Sequence, residues 1–267
     1  MFRNSLIALA LVLACTAPAV SARAASAAAD NPAEDPLLIT AGFLNHHPDM
    51  RYRILGMRAY EKGEHARAFG YFRRAAFYAD KAAQGMVAEM YWKGEGVERD
   101  PVMGYVWMDL AAERGYRGFL GLRERYWSEL DMGQRARAVE AGQEVYARFG
   151  DAAAKPRYEF VLRTGRKQMT GSRTGFNRGV QIELPGPSGS QSIEGSKFYD
   201  PRYWDAKKYW AWQDGIWMKP RIGSVTVGEI EEIARGAVDT SSRIPETAPQ
   251  ADAPVPQVED EDAMPLP

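Results

Sequence analysis

The chain has 267 residues, of which 45% are hydrophobic, so it is long enough to form one large or two modest domains with a buried core. Its formal net charge is −1, which gives the whole molecule no electrostatic attraction to nucleic acid or to an anionic membrane. Cys15 is its only cysteine, so no disulfide within the chain can stabilise the fold.

The first 22 residues have the composition of an export signal. Arg3 supplies a positive charge, residues 6–14 are apolar but too short to span a bilayer, and Val20-Ser21-Ala22 offers the small side chains of a cleavage site. Cleavage after Ala22 would leave an exported protein without cysteine, which suits a bacterial periplasmic protein better than a small secreted scaffold. The predicted location is therefore exported, either periplasmic or secreted. The alternative is a lipoprotein signal, in which Cys15 is lipidated and anchors the protein to a membrane. Residues 23–40 are predicted to form a linker.

Residues 82–115 have the pattern of an antiparallel helix pair. The first helix carries apolar residues at helical spacing, namely Ala83, Val87, Met90 and Tyr91. Gly94 can take the left-handed conformation that ends a helix, and Asp100-Pro101 has the cap and first-turn proline that begin the next one. The second helix presents small residues beside one large ring, namely Gly104, Trp107, Ala111 and Ala112. Small residues allow two helices to approach closely, so this pair is predicted to pack tightly.

The same pattern occurs more than once in the chain. Tyr60 and Gly63 can be aligned with Tyr91 and Gly94 of the pair just described. The small residues and the ring of its second helix then have counterparts earlier in the chain, namely Ala68, Tyr71, Ala75 and Ala76. A looser third unit follows Gly115; its first helix carries Leu120, Gly121, Tyr126 and Trp127, and Asp131 is predicted to cap a second helix that runs to Phe149. One helix pair cannot bury its apolar face alone, so this repetition predicts an α-solenoid over residues 41–150.

The second unit resembles the Sel-like repeat, a relative of the tetratricopeptide repeat. Two motifs carry the resemblance: Tyr91-x-x-Gly94-x-Gly96-Val97-x-x-Asp100 and Trp107-x-x-x-Ala111-Ala112-x-x-Gly115. The first unit looks closer to a tetratricopeptide repeat proper, through Leu55-Gly56, Tyr60, Gly63, Ala68, Phe72 and Ala75. The resemblance is confined to residues 50–150, and the second unit departs from the family pattern at Ala88 and Gly104, where glycine and alanine are expected.

Tetratricopeptide-like families use the first helix of each pair to line a concave surface that binds a protein or peptide. On this chain the resemblance implies outward-facing, partner-binding positions on those helices: Arg58, Glu61, Glu89, Trp92, Lys93 and Arg123. The alternative for each is an ordinary surface residue, because a fold does not fix a function.

The carboxy-terminal half is predicted to form a small α+β module over residues 151–236. Tyr158 to Leu162 and Val180 to Leu184 look like short strands, and Asp200-Pro201 has the form of a helix start. A further strand and a short helix are predicted at residues 224–227 and 229–235. Residues 237–267 are rich in proline and acidic residues and are predicted to be a disordered acidic tail, because this composition cannot bury enough apolar surface to become ordered.

Two features of this half could bind a ligand. Residues 155–178 carry seven basic residues against Glu159 alone, and the glycine-punctuated part from Thr164 to Gly175 could wrap an anionic polymer. The alternatives are a solvated loop and a weak electrostatic contact with the acidic tail. Residues 198–217 hold eight aromatic rings: Phe198, Tyr199, Tyr203, Trp204, Tyr209, Trp210, Trp212 and Trp217. They form either the core of the module and its seam with the last solenoid helix, or a groove for a peptide or glycan strand.

No arrangement of residues predicts catalysis, a metal site or a cofactor site. His46 and His47 are adjacent and His65 lies on a different predicted helix, so no two histidines have metal-ligand spacing. Ser188 and Ser190 lack a nearby histidine in sequence that could act as a base, and no Gly-x-Ser-x-Gly motif occurs. The basic stretch lacks the residue order of a Walker phosphate-binding loop.

The sequence therefore predicts a mainly α fold, with a short α-solenoid, a small α+β module and a disordered acidic tail. The predicted function is that of a non-catalytic exported scaffold or adaptor that binds a protein or peptide in the bacterial cell envelope and does not bind nucleic acid. The alternative is that the carboxy-terminal module binds, or processes, an envelope polymer such as a glycan or an anionic lipid.

We expect the exported protein to begin at an unmodified Arg23, because the small residues at Ser21 and Ala22 suit a signal peptidase. Intact-mass measurement of the protein from its native envelope checks this. Replacing Ala22 with tyrosine should block cleavage and retain the apolar segment. A diacylated amino-terminal Cys15 would contradict the prediction and place the protein on a membrane.

Overall fold

A computed structural model describes residues 41–168, 181–186, 189–218 and 239–258 of the chain. The predicted signal, the linker, the strand at 224–227, the helix at 229–235 and the tail from residue 259 onward lie outside these residues. Among the residues described, no helix has the length and apolar character needed to cross a membrane.

The predicted mainly helical fold is confirmed. The helices of the first part are α1 (Ala41–Leu44), α2 (Pro48–Glu61), α3 (His65–Ala76), α4 (Lys81–Lys93), α5 (Pro101–Ala112), α6 (Arg117–Glu129), α7 (Met132–Phe149) and α8 (Asp151–Gln168). An antiparallel hairpin follows, β1 (Gln181–Gly186) and β2 (Gly189–Glu194), in which Gln181 is opposite Glu194 and Gly186 is opposite Gly189. Three more helices follow in the described residues: α9 (Gly195–Phe198), α10 (Pro201–Trp204) and α11 (Ala206–Trp217).

The helix boundaries lie where the capping residues predict them. The Asp100 carboxylate accepts hydrogen bonds from the backbone N–H groups of Val102 (2.9 Å) and Met103 (3.1 Å) at the start of α5. Gly94 ends α4 with a φ of +80°, a conformation that glycine takes at little cost. Asp131 begins α7 with a capping box, in which its carboxylate accepts from the Gln134 N–H and the Gln134 side chain accepts from the Asp131 N–H.

The predicted small-residue seam brings α4 and α5 together. A side chain at Gly104 would lie 3.3 Å from the carbonyl oxygen of Ala88 and 3.0 Å from the indole of Trp92. Ala111 and Ala112 are both fully buried. The two departures from the family pattern, Ala88 and Gly104, therefore face each other, and their small size keeps the seam closed.

Helix α8 corrects the strand predicted from Tyr158 to Leu162. The chain leaves α7 after Phe149, as predicted, and Gly150 is extended, but α8 begins at Asp151 and runs to Gln168 through the predicted strand. Ala154, Tyr158 and Leu162 follow one another at intervals of four residues and are all buried, which is the spacing of one helix face. Pro156 is accommodated on the exposed face of the same helix.

A buried ionic network attaches α8 to the repeats. The Asp151 carboxylate at its first turn accepts two hydrogen bonds from the Arg114 guanidinium, at 2.7 and 2.9 Å, and lies 3.1 Å from the Lys81 ammonium group. Lys81 is 2% exposed and also donates to the side chains of Glu113 and Gln84 and to the backbone carbonyl of Leu110. These cations hold the pKa of Asp151 well below its usual range despite the opposing effect of burial.

The aromatic residues of the module pack against both ends of the helical segment that precedes it. Phe198, Tyr203 and Trp204 are buried against Phe43, Leu44 and Met50 of α1 and α2. Tyr209 and Trp210 are buried against Ala154, Tyr158 and Leu162 of α8. These rings therefore form a core and a seam, as the first of the two interpretations predicted, and the seam includes the amino-terminal helices as well as α8.

The prediction of a disordered tail is wrong for residues 239–258. This segment, here named the carboxy-terminal strap, has no helix or strand but lies against the repeats. Ile244 is 5% exposed and belongs to the main apolar core, against which Ala253, Val255 and Val258 also pack. The composition of the segment is that of a disordered chain, but a few apolar residues and many backbone hydrogen bonds to the helices order it.

We expect Ala111→Leu to lower the free energy of unfolding by about 1–3 kcal/mol, because a larger side chain has no space in the seam between α4 and α5. Thermal and denaturant unfolding followed by circular dichroism check this. Ala136→Leu, on the exposed face of α7, is the matched control and should leave stability nearly unchanged. Equal melting temperatures for the two variants would contradict a close-packed seam.

Candidate functional site

The third repeat unit is open where the first two are closed. In the first two units, α2 packs on α3 and α4 packs on α5, whereas α6 and α7 each pack mainly on α5 rather than on each other. The pair α6 and α7 therefore leaves a groove with α5 as its floor. The strap groove, as we name it, is lined by Asp109 of α5, Arg123 and Glu124 of α6, and Gly142, Gln143 and Tyr146 of α7, and the strap occupies it.

A buried charge pair forms the floor of the strap groove. The side chains of Asp109 and Arg123 are 0% and 1% exposed, and their closest charged atoms are 3.8 Å apart. The Arg123 guanidinium donates hydrogen bonds to two carbonyl oxygens of the strap, those of Asp239 and Ser241 (2.9 Å to Ser241). Its Nε donates to the Glu124 carboxylate at 2.8 Å. A buried guanidinium needs an acceptor for each N–H, and the strap backbone supplies acceptors.

Hydroxyl groups from three elements converge on Asp109. Its Oδ2 accepts from the hydroxyls of Tyr146 of α7 (2.8 Å) and Ser242 of the strap, while its Oδ1 lies 3.4 Å from the Tyr105 hydroxyl. Burial raises the pKa of Asp109, and these hydrogen bonds together with Arg123 act in the opposite direction.

Arg243 of the strap binds Glu124 with a two-pronged contact. Its Nη1 and Nη2 donate to the two carboxylate oxygens at 2.9 and 2.6 Å, the geometry that a guanidinium and a carboxylate favour. The same guanidinium lies 4.9 Å from the centre of the Trp127 ring. Hydrogen bonding from Arg243 lowers the pKa of Glu124, so the pair stays ionised at neutral pH.

Ile244 occupies a notch above Gly142. A side-chain carbon at Gly142 would come closer than 3.0 Å to three carbons of Ile244. Glycine in the middle of α7 weakens the helix by roughly 1 kcal/mol relative to alanine. The presence of glycine at position 142 is thus explained by the Ile244 side chain that packs on it, because glycine does not favour the helix itself.

Hydrogen bonds to backbone groups join later parts of the strap to α7. Gln250 N–H donates to the carbonyl of Ala147 at 2.6 Å, and the Thr247 hydroxyl donates to the carbonyl of Gln143 at 3.1 Å. Arg148 donates to the carbonyl of Pro254 at 2.6 Å. Ala147 is in the last turn of α7, where carbonyl groups have no hydrogen-bond donor within the helix. The strap therefore supplies the donor that water would supply in its absence.

The basic stretch lies partly within α8. Residues 155–168 are helical, and residues 169–178 lie outside the described residues. Arg157 donates to the strap carbonyls of Gln250 (2.9 Å) and Ala251 (3.2 Å), so this contact uses backbone oxygens instead of the carboxylates proposed for the acidic tail. Burial lowers the pKa of Arg157 to about 10. Arg163, Arg166 and Lys167 are exposed.

The six predicted partner-binding residues are divided between three places. Glu61 at the end of α2 is exposed and Arg58 is half-buried. Glu89 and Lys93 of α4 form a 3.0 Å ion pair with each other, and Trp92 stacks on Tyr126 of α6 with ring centres 4.0 Å apart. Arg123 is buried, which corrects its assignment to an exposed surface, and its partner is the strap of the same chain.

His47 of the histidine pair has a structural role. The two ring nitrogens of His47 lie 2.9 Å from the carbonyl oxygens of Phe43 and Tyr203, so the ring connects α1 to α10. Burial lowers the pKa of His47 to about 4, although its hydrogen bonds oppose that change. In the part of the chain that the structure describes, no group of three or more histidine, cysteine, aspartate or glutamate side chains could hold a metal ion.

Sequence reasoning missed the strap groove and most of its residues: Asp109, Glu124, Gly142, Tyr146, Ser242, Arg243 and Ile244. Gly142, in the interior of an otherwise regular helix, was the one available signal, because an isolated helical glycine often marks a close approach of another element. Ile244, a single branched aliphatic residue beside Pro245, gives no periodicity from which burial could be predicted.

Comparison with known proteins identified no relative. No protein-family model matches the chain, and no curated protein and no solved structure resembles it significantly.

We expect Gly142→Ala to release the strap, because the added methyl group occupies the space of the Ile244 side chain. Hydrogen–deuterium exchange should become faster throughout residues 239–258 while the helices stay protected. Gly121→Ala is the matched control, since nothing lies within 4 Å of a side-chain carbon there. The control should raise the melting temperature through helix propensity alone and leave strap exchange unchanged. Unchanged exchange in both variants would contradict the packing of Ile244 on Gly142.

Proposed function

We propose that this protein is a non-catalytic, exported repeat protein that acts as a scaffold or adaptor in the bacterial cell envelope, and that its strap groove holds an extended segment of a partner protein. The observation that carries the proposal is the strap itself. The groove between α6 and α7 already holds a non-helical peptide segment of the same chain through side-chain and backbone contacts.

The contacts in the strap groove are those that suit peptide binding. Arg123, Arg148 and Arg157 donate to backbone carbonyls, which every peptide presents, and the notch above Gly142 accepts one apolar side chain. Peptide-recognition domains combine these two elements, with backbone hydrogen bonds for affinity and pockets for specificity. The resemblance of the helix pairs to Sel-like and tetratricopeptide-like repeats, which bind protein segments, is in keeping with this function.

The alternative function, binding of an envelope polymer by the carboxy-terminal module, has less support. The aromatic rings that would line a glycan groove are used in packing: Phe198, Tyr203, Trp204, Tyr209 and Trp210 are buried. The exposed cations Arg163, Arg166 and Lys167 at the end of α8 are the remaining feature in its favour. Charged residues of this kind most often mark a solvated surface.

Site-specific photo-crosslinking in the native envelope tests the proposal. A photoreactive amino acid at Gln143, exposed beside the strap, is expected to crosslink to a discrete partner protein. An excess of a synthetic peptide with the sequence of residues 239–258 should compete that crosslink away. The matched control is Lys207, exposed on α11 in the carboxy-terminal module, which should give no competed product.

Crosslinks that the peptide does not compete, or that are equal at Gln143 and Lys207, would contradict binding in the groove. Reproducible hydrolysis of an envelope polymer by the purified protein, abolished by one substitution outside the core, would contradict the assignment as non-catalytic.

A further inference from the structure

We propose that the strap is a resident ligand of the groove, and that the partner recognised in its place carries the same three consecutive groups: a small hydroxyl residue, an arginine and a branched aliphatic residue. In the strap these are Ser242, Arg243 and Ile244. The inference rests on the proposed function, since it specifies which protein segment the groove accepts.

The hydroxyl position is recognised by a buried acceptor. The Ser242 hydroxyl donates to Oδ2 of Asp109 and accepts from the N–H of Ile244 at 2.9 Å, so one group both satisfies the carboxylate and shapes the peptide. Asp109 is 1% exposed, and a peptide with alanine at this position would leave its carboxylate with one hydrogen bond fewer. Serine or threonine is therefore preferred here.

The arginine position is recognised by geometry as well as by charge. The Glu124 carboxylate accepts from both terminal nitrogens of Arg243, and the guanidinium plane lies near the Trp127 ring. A lysine ammonium group can neutralise Glu124 but cannot make both hydrogen bonds in one plane. The groove is therefore expected to distinguish arginine from lysine.

The aliphatic position is recognised by shape. Ile244 fits over Gly142 and has a buried side chain, whereas the residues after it that face solvent include Glu246, Pro249 and Gln250. Pro245 follows Ile244 and favours an extended conformation of the residue before it. The later part of the strap contacts the helices through backbone groups, the Thr247 hydroxyl and the apolar side chains of Ala253, Val255 and Val258. The contacts to Asp109, Glu124 and Gly142 of the strap groove are made by the three consecutive positions, so sequence recognition within the groove is concentrated there.

The strap also sets the affinity that a partner needs. A ligand in the same chain competes at an effective concentration of up to about millimolar, and a free peptide at lower concentration cannot replace it unless it binds more tightly. Releasing the strap should therefore expose the groove to peptides that the wild-type protein excludes.

Fluorescence anisotropy tests the inference with a labelled peptide that has the sequence of residues 239–250 as the probe. The full chain lacking only the export signal is compared with its Ile244→Asp and Arg243→Glu variants, which should both release the strap. The probe is expected to bind each variant about tenfold or more tightly than it binds the wild type. Circular dichroism and melting temperature identify a variant that has lost the fold of the helices. If one of the two variants has done so, the binding measurement is made with the other.

Substituted probes measure recognition at each position. Probes with alanine for Ser242, lysine for Arg243 or alanine for Ile244 should each bind the released chain about tenfold more weakly. Control probes with glutamine for Glu246 or alanine for Gln250 should bind within about twofold of the original, because those side chains face solvent. Adding Gly142→Ala to the Ile244→Asp protein should abolish binding of the original probe.

The outcomes separate this inference from the function on which it rests. Equal binding of all substituted probes to the released chain would overturn the three-position recognition and leave the peptide groove intact. Absence of probe binding to both released variants, when both retain wild-type helical content, would overturn the groove as well. A wild-type dimer in sedimentation, with residues 239–258 crosslinked to the neighbouring copy, would replace the external partner with a second copy of the chain.

Discussion

A buried guanidinium must have hydrogen-bond acceptors, and in this protein that requirement joins the repeats to the strap. Arg123 is 1% exposed beside Asp109, and the two carbonyls of Asp239 and Ser241 provide acceptors that the helices do not. Removing one partner of a buried ion pair costs several kcal/mol, so both residues are needed. Other N–H groups of the guanidinium bind backbone carbonyls, which any peptide sequence can supply. The same pair that stabilises the third repeat unit therefore creates a binding site for an extended chain.

The site exists because the third unit does not close. Ala88 and Gly104 allow α4 and α5 to approach so closely that a side-chain carbon at Gly104 would lie 3.3 Å from the Ala88 carbonyl oxygen, whereas α6 and α7 are separated above α5. Aromatic side chains cover two other surfaces: Trp204 and Phe198 close the amino-terminal helices, and Tyr209 and Trp210 close α8. A solenoid needs covered terminal faces for its stability, and these aromatic residues supply that cover, whereas the strap fills the groove of the third unit.

Local sequence patterns predicted the helices well and the site poorly. Asp100, Gly94 and Asp131 act on residues next to them, so their effects on helix boundaries can be deduced from the sequence. The strand expected at Tyr158 was wrong because the four-residue spacing of Ala154, Tyr158 and Leu162 indicates a helix face, and that face is buried against Tyr209 and Trp210 of α11. The order of the strap depends on pairs such as Arg123 with Ser241, separated by 118 positions, which composition cannot reveal.

That separation has a kinetic consequence. The helix pairs form from residues close in sequence, whereas the strap can dock only after α5, α6 and α7 have assembled its groove, so it is expected to be the last segment to fold. Because most residues of the strap are exposed or half-buried, the strap is expected to open locally while the helices stay intact. Its dissociation would then be far faster than global unfolding, and ligand exchange would occur on the timescale of local opening rather than that of denaturation.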